Sequence, residues 1–415
     1  MTTQLVGDEA YDPFEAFDDA QGIGRVGNPY PRLAELRRVA GIHRGSMWKL
    51  FDLELAGERG DVLTEAPFFS AIGYNAVTHV LRESQTFSSS VYAAAMGPVM
   101  GHSILEMDEP EHGQYRALIE QAFSRKAMER WEAEVIAPTI HSFIDKFIER
   151  GSADLVREFT FPFPITVISG LLGLPQEDLP QFHRWAVELI NVAAHYERAI
   201  GASGKLRDYL IGVIEERRAE PRDDMISLLA HAELNGHRLD NEEICAFLRL
   251  LLPAGAETTY RSSGNLLFGL LSQPEQLDAL RKDRSLMLVA LEEGLRWEPP
   301  LLSIMRSTAT DTEVEGLPVP KDSVISVWVG SANRDETRWE NPEEFDIFRK
   351  RIPHVAFGFG PHVCLGQHLA RMETTVALNA LLDRLPDMRL DPSAEGVEIS
   401  GLMFRSPARL PVVFG

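Results

Sequence analysis

The sequence predicts a mainly α protein with a small β portion, built as one unit over residues 1–415. Apolar residues recur at helical spacing around 113–150, 154–172, 177–218, 240–271, 274–298 and 366–385, which together cover much of the chain. Alternation and turn residues mark three stretches, about 45–75, 304–329 and 389–414, as the β-rich part. Length suggests two or three domains at about 150 residues each, yet no repeat, low-complexity tract or Pro/Gly/Ser linker separates them.

In order along the chain, the first 21 residues include Asp8, Glu9, Asp12, Glu15, Asp18 and Asp19, the opposite of a basic signal or transit segment. Gly22 to Gly27 spell G-x-G-x-x-G, but no apolar strand precedes them and Asn28-Pro29-Tyr30-Pro31 follows, so the context of a dinucleotide site is missing. Phe51 to Leu55 alternate within a β-leaning stretch that begins near Trp48, and Gly57 to Gly60 make the turn after it. Pro110 opens a helix that sets His112 and Arg116 four residues apart on one face. Residues 240–271 form the next informative segment. Asp240 and Glu243 make a capping-box start, Ser272-Gln273-Pro274 makes the stop, and about 32 residues at 1.5 Å rise span roughly 48 Å. Its middle, Pro253-Ala254-Gly255-Ala256-Glu257-Thr258-Thr259, conflicts with helix propensity, since an interior proline costs about 3 kcal/mol and a glycine about 1 relative to alanine. Such a conflict in a long buried helix marks a functional site: Pro253 frees a carbonyl and Gly255 leaves an open groove. Glu293 and Arg296 then make an i, i+3 pair on one helix face. Finally, a glycine-punctuated loop from Phe357 to Gly366 carries Cys364 straight into the last helical pattern.

Hydrophobic residues make up 44% of the chain and charged residues 25%, a globular balance that supports a large core and excludes the disordered class. The net charge of −21 disfavours nucleic acid and anionic membrane surfaces as partners. No run of about 18 apolar residues occurs, so no membrane span is expected. Two cysteines make no disulfide framework, which points to the cytoplasm.

Nor can two cysteines close a zinc site. Cys364 lies where glycines let the backbone turn sharply and approach something flat or bulky, at a helix start whose dipole favours a thiolate. That arrangement suits a nucleophile, or a metal whose other ligands arrive with a cofactor, as in haem. Cys245, between Ile244 and Ala246, reads as a buried apolar residue.

The Cys364 loop resembles the haem-ligand signature of the cytochrome P450 monooxygenases, Phe-Gly-x-Gly-x-His-x-Cys-x-Gly, with every fixed position filled. The resemblance covers essentially the whole chain. Ala254-Gly255-x-Glu257-Thr258-Thr259 is similar to the family's oxygen-binding motif. Glu293-x-x-Arg296 matches its Glu-x-x-Arg helix, and Asn333 to Arg349 match the segment that completes a triad with that pair. The segment from Asp108 to Arg116 resembles Asp-Pro-Pro-x-His-x-x-x-Arg, with Glu109 in place of the first proline. The resemblance implies the P450 fold, with haem b (iron protoporphyrin IX) between the long central helix and the cysteine loop and Cys364 as the axial thiolate. It implies propionate contacts from His112, Arg116, Arg306 and His362, and cofactor contacts from Phe357, Gly358, Gly366, Ala254 and Gly255. Thr258 and Glu257 become the catalytic hydroxyl and acid, and Glu293, Arg296 and Arg349 a buried structural triad.

The activity so implied is insertion of one oxygen atom from O2 into a small to medium apolar compound, by hydroxylation or epoxidation. Electrons would come from a separate ferredoxin or flavodoxin with its NAD(P)H reductase, because the chain carries no flavin or iron–sulfur module. Arg125, Lys126, Arg130, His368 and Arg371 are the basic residues for that carrier. By family position the substrate meets Val99, Met100, Leu189, Leu251, Leu302 and Met403, with His102, Ser103, Asn191 and Ser303 to orient one polar group. A monomer is expected. Two rivals stand beside this reading: a haem sensor or carrier without turnover, which needs neither relay nor apolar pocket, and a peroxide-driven haem enzyme, which the Glu257–Thr258 pair argues against.

Overall fold

The structure, a computed structural model, describes residues 11–46 and 66–415; the strand and turn expected over 48–60 lie outside them. Asn241–Leu271 is one helix, and Pro162–Leu171, Leu179–Ile190, Tyr196–Ala219, Met287–Trp297 and Gln367–Arg384 pack against it. Its capping box is present: the Asp240 carboxylate accepts the Glu243 amide at 2.8 Å, and the Glu243 carboxylate accepts the Asp240 amide at 2.7 Å. Two amides that a helix start leaves unpaired are thereby satisfied. The helix continues through Pro253.

Several helical stretches divide where periodicity runs on. Residues 113–150 contain Glu111–Glu120, Arg125–Trp131 and Ala137–Asp145, and residues 274–298 contain Pro274–Lys282 and Met287–Trp297. The breaks are local caps: Ser124 Oγ accepts the Ala127 amide at 3.3 Å, and the Asp283 carboxylate accepts the Ser285 amide at 2.9 Å. A cap turns the chain without disturbing apolar spacing, so periodicity alone does not register it.

The β part assembles from distant segments. Among the described residues, Ile42–Arg44, Phe68–Ala71, Val324–Val327, Ile304–Thr308 and Phe87–Ser88 form a five-stranded sheet in that order, in which only Phe68–Ala71 and Val324–Val327 run parallel. Pro411–Val413 pairs with both Arg389–Leu390 and Ser152–Asp154. Phe87–Ser88, Ser152–Asp154 and the hairpin of Glu233–Leu234 with His237–Arg238 correct the expectation that these regions are helical or loop. Strands of two or three residues are too short for alternation to show.

One apolar cluster extends from Val99 to Phe414 and includes the buried face of the central helix. A second, with Ile42, Phe69, Val77, Phe87, Ile325 and Val327, fills the sheet end. No helix among the described residues is long and apolar enough to cross a membrane.

Candidate active site

The cysteine loop folds back on itself. The Gly358 amide donates to Val355 at 2.9 Å, Val363 to Gly360 at 3.1 Å and Cys364 to Phe357 at 2.8 Å. Gly358 and Gly360 have φ of 76° and 77°, in the left-handed region that glycine enters freely. At Gly360 there is a second demand: a Cβ would stand 2.4 Å from the Leu81 carbonyl oxygen. Cys364 emerges just before the Gln367–Arg384 helix, and its accessible surface faces an interior cavity. Burial pushes the thiol up, against the pull of the Gly366 amide and the charges of Arg116 and Arg371.

The cavity, about 360 Å³, lies between this loop and the central helix, within the usual range of small-molecule sites. Phe357, Gly358, Cys364 and Gly366 line one part of it, and Leu250, Leu251, Ala254, Gly255 and Thr258 another. His112 and Arg116 from the helix Glu111–Glu120, Arg306 from the strand Ile304–Thr308 and His362 from the cysteine loop also line it.

Those four are under electrostatic tension. His112 and Arg306 are buried. His112 Nδ1 pairs with Glu109 at 2.9 Å, and its Nε2 is buried without a partner among the described residues. The His112 and His362 rings stand 3.9 Å apart. Arg306 donates to the Met305 carbonyl at 2.7 Å, and burial lowers its pKa. Arg116 reaches Glu120 and the Val363 carbonyl, each at 2.7 Å. Burial, then the charges of Arg306, His112 and Arg116, push His362 down to about 3. Buried Arg306, partly buried Arg116 and an orphaned imidazole nitrogen call for an anionic guest. The two carboxylates of haem b meet that need. At Gly366 a Cβ would have open space around it, leaving clearance for a flat ring beside the sulfur.

On the central helix, Thr258 is in the cavity wall and its hydroxyl donates to the Ala254 carbonyl at 2.7 Å. Glu257 is not in that wall. It is buried beside Arg261, 3.5 Å away, and burial first, with Asp18 assisting and Arg261 opposing, raises its carboxyl to about 7. Adjacent helical residues point about 100° apart, so acid and hydroxyl do not share a face. Gly255 also departs from expectation: a Cβ there would meet Ile168 Cδ1 at 2.7 Å. The groove is filled by the neighbouring helix, and close helix packing explains the glycine.

Beneath the loop, Glu293 accepts from Arg296 Nε at 2.7 Å and Nη2 at 2.8 Å, from Arg349 Nε at 3.2 Å and from the Asp346 amide at 2.9 Å. A second cluster lies next to it. Glu292, held at about 2 by His354 and Arg371 in spite of its burial, pairs with Arg371 at 2.6 Å, and Arg371 lies over the Phe357 ring at 4.3 Å.

The expected substrate contacts need correction. Leu251 lines the cavity, but Val99, Met100, Leu189, Leu302 and Met403 do not. Val99, Met100 and Leu189 are buried in the main core, and Leu302 packs with Tyr30, Leu33 and Trp328. Met403 uses its carbonyl to accept the Leu302 amide at 2.8 Å. Leu301 and Ile304 line the cavity instead, because neighbouring residues of extended chain face opposite ways. Ile104 and Leu105 take the place assigned to Val99 and Met100. His102 is engaged by Glu106 at 2.7 Å and Glu111 at 2.9 Å, and Ser103, Asn191 and Ser303 are buried outside the wall.

Three residues went unnoticed in sequence. Glu373, in the cavity wall, is buried with Oε2 unpartnered among the described residues, and burial raises its carboxyl far above the ordinary value. Ser89 Oγ lies 3.2 Å from His362 Nε2. Arg261 is fully enclosed. A charged residue on an otherwise apolar helix face is the signal that would have found Glu373 and Arg261.

A cavity that wants a flat, anionic group with one thiolate ligand describes the haem-thiolate oxygenases as a class. Comparison with known proteins gives the same answer. The sequence model described as Cytochrome P450 matches residues 177–386. The putative cytochrome P450 YjiB of Bacillus subtilis is 36% identical over 78% of this chain and 83% of its own length, and the erythromycin C-12 hydroxylase of Saccharopolyspora erythraea is 36% identical over 82% and 87%. The crystal structure of CYP109E1 from Bacillus megaterium, in complex with testosterone, superposes with a TM-score of 0.81 at 31% identity, covering 94% of this chain and 99% of that one. The chain belongs to the cytochrome P450 family. It is a haem b monooxygenase with the P450 fold, and it uses O2, a substrate and a redox partner.

Proposed function

We propose that the protein oxygenates a small to medium apolar compound and that Thr258 and Glu257 manage the protons. Bound haem supplies the iron at which electrons meet O2, and thiolate ligation favours cleavage of the O–O bond. The observation that carries the reading is Thr258, whose hydroxyl stands in the cavity wall on the central helix, followed there by Thr259 and Ser262. With its proton given to the Ala254 carbonyl, Thr258 Oγ1 turns lone pairs toward the cavity and can hold a proton-bearing oxygen in place. Glu257, poised near neutrality, can release a proton and recover it. Its carboxyl lies with Arg261, so delivery requires rotation of the side chain or an intervening water. Leu250, Leu251, Leu301 and Ile304 exclude bulk water and select an apolar guest.

A ferredoxin or flavodoxin is the electron donor in this reading. Lys126 and His368 are exposed, whereas Arg125 pairs with Glu129, Arg130 with Asp223 and Arg371 with Glu292, which leaves the first two as the more available contacts. We place the protein in the cytoplasm as a monomer. Cys245 and Cys364 are both free thiols, a state that a reducing compartment preserves.

Carbon monoxide added to the reduced protein should produce the strongly red-shifted Soret band of thiolate ligation. Its absence would sink the assignment of Cys364. Thr258→Ala, with reduced carrier and an apolar substrate found by its spin-state shift, should cut product formed per NAD(P)H by about tenfold or more. Unchanged coupling would remove Thr258 from the relay and favour direct use of peroxide.

A further inference from the structure

Arg261 lies one helical turn beyond Glu257, and two carboxylates compete for its guanidinium. Nη2 donates to Asp18 Oδ1 at 2.7 Å but stands 3.5 Å from Glu257 Oε2, while Nη1 donates to Ser406 Oγ at 2.9 Å. Asp18 belongs to the N-terminal helix Pro13–Gln21, so the nearer partner comes from the far end of the chain. Its side chain is 42% exposed, against 3% for Glu257 and 1% for Arg261. The helix is seated by Phe17, edge-on to Phe404 at 5.4 Å. Arg261 in turn lies over Tyr260, Phe17 and Phe404 at 4.6, 5.6 and 5.7 Å. These contacts hold the guanidinium on the Asp18 side.

We propose that Asp18 is a positioning residue for proton delivery: by drawing Arg261 to itself it keeps the guanidinium from closing on Glu257, which can therefore hold and release a proton. The proposal rests on the reading of Glu257 as the acid. A full ion pair at hydrogen-bond distance would stabilise the carboxylate and hold it ionised. The ionisable groups acting on Glu257 are Arg261 and Tyr260 on its own helix and Asp18 on the N-terminal helix; Ser406, from the strand Ser406–Pro407, is neutral. Removing the Asp18 charge acts twice in one direction. It withdraws a repulsion that favours the protonated form, and it frees Arg261 to approach.

The test is infrared pH-difference spectroscopy on the haem-loaded protein, from about pH 5 to about pH 9, which reports protonated carboxyls on either side of neutrality. The Glu257 band is the one missing from Glu257→Gln. In Asp18→Asn its midpoint should fall by about one pH unit or more, a tenfold loss of proton affinity, and Asp18→Glu should restore it. Arg261→Gln should move it upward, and in that background Asp18→Asn should have much less effect. A role for Asp18 in packing alone would lower stability without moving the midpoint. A midpoint unchanged or raised in Asp18→Asn overturns the proposal. The underlying reading fails separately: a Glu257→Gln enzyme with unchanged coupling removes Glu257 from the relay, while a midpoint that follows Asp18 still upholds the competition for Arg261.

Discussion

Glu293→Gln isolates one charge at the base of the cysteine loop. Glu293 is 4% exposed and faces two guanidiniums, Arg296 at 3% and Arg349 at 12%. The Arg296 contact is bidentate, and the Asp346 amide takes a further bond. Glutamine has nearly the same volume, so the change leaves no cavity and alters only charge and acceptor capacity. Buried Arg296 and partly buried Arg349 then lose their counter-charge, and one of the two acceptor oxygens becomes a donor that confronts a guanidinium. Stranding a buried charge in this way costs about 3 to 5 kcal/mol, a large share of the roughly 5 to 15 kcal/mol that holds a typical domain folded. Urea titration of the haem-loaded protein, followed by far-ultraviolet circular dichroism and by the Soret band, measures the loss. The Soret band should fail at or below the denaturant concentration that unfolds the helices, because Asp346 and Arg349 tie the network to the chain leading into the loop. Arg349→Lys keeps the charge but loses the planar fork and should cost about 1 to 2 kcal/mol. A loss under about 1 kcal/mol for Glu293→Gln would mean that the network is hydrated and contributes little.

Other tests address separate parts of the molecule. Gly360→Ala meets both a φ of 77° and the Leu81 carbonyl, and should cost about 2 kcal/mol or more; Gly366→Ala, with open space around its Cβ, should leave thermal unfolding of the apoprotein in place while speeding haem transfer to a scavenger. The Glu257 carboxyl, raised from 4.5 to about 7, retains a proton in the folded state that the unfolded chain releases. Its contribution is therefore complete below about pH 4.5 and lost as pH rises through about 7, a change on the order of 3 kcal/mol. Urea midpoints at about pH 5 and about pH 8 should lose that part of their difference in Glu257→Gln, and an identical pH slope in both proteins would show that Glu257 is ionised throughout. Leu251→Phe should alter the spin-state response to apolar guests, whereas Leu302→Ala should cost about 2 to 5 kcal/mol of stability and leave that response unchanged; the reverse pattern would restore Leu302 to the cavity wall.

Residues whose chemistry is bound to local spacing were readable from sequence. The cysteine loop depends on glycines a few positions from Cys364, the central helix on a cap within its first turn, and the Glu293–Arg296 pair on i, i+3 geometry. Each lies within about one or two turns of chain, so order along the sequence fixes proximity in space. Three-dimensional packing decided the rest. Whether Leu301 or Leu302 faces the cavity depends on how that segment docks against Phe404 and Trp328, and a one-residue change of register reverses the side chains. Gly255 looks like an opening until Ile168 from another helix fills it. Asp18 and Arg261 lie 243 positions apart, and no local rule links them. The sequence by itself determined the family and the cofactor, because those follow from short motifs with fixed chemistry. Only the tertiary structure decided which carboxylate Arg261 pairs with most closely and which leucines line the cavity, since both are settled by contacts between elements that sequence order does not bring together.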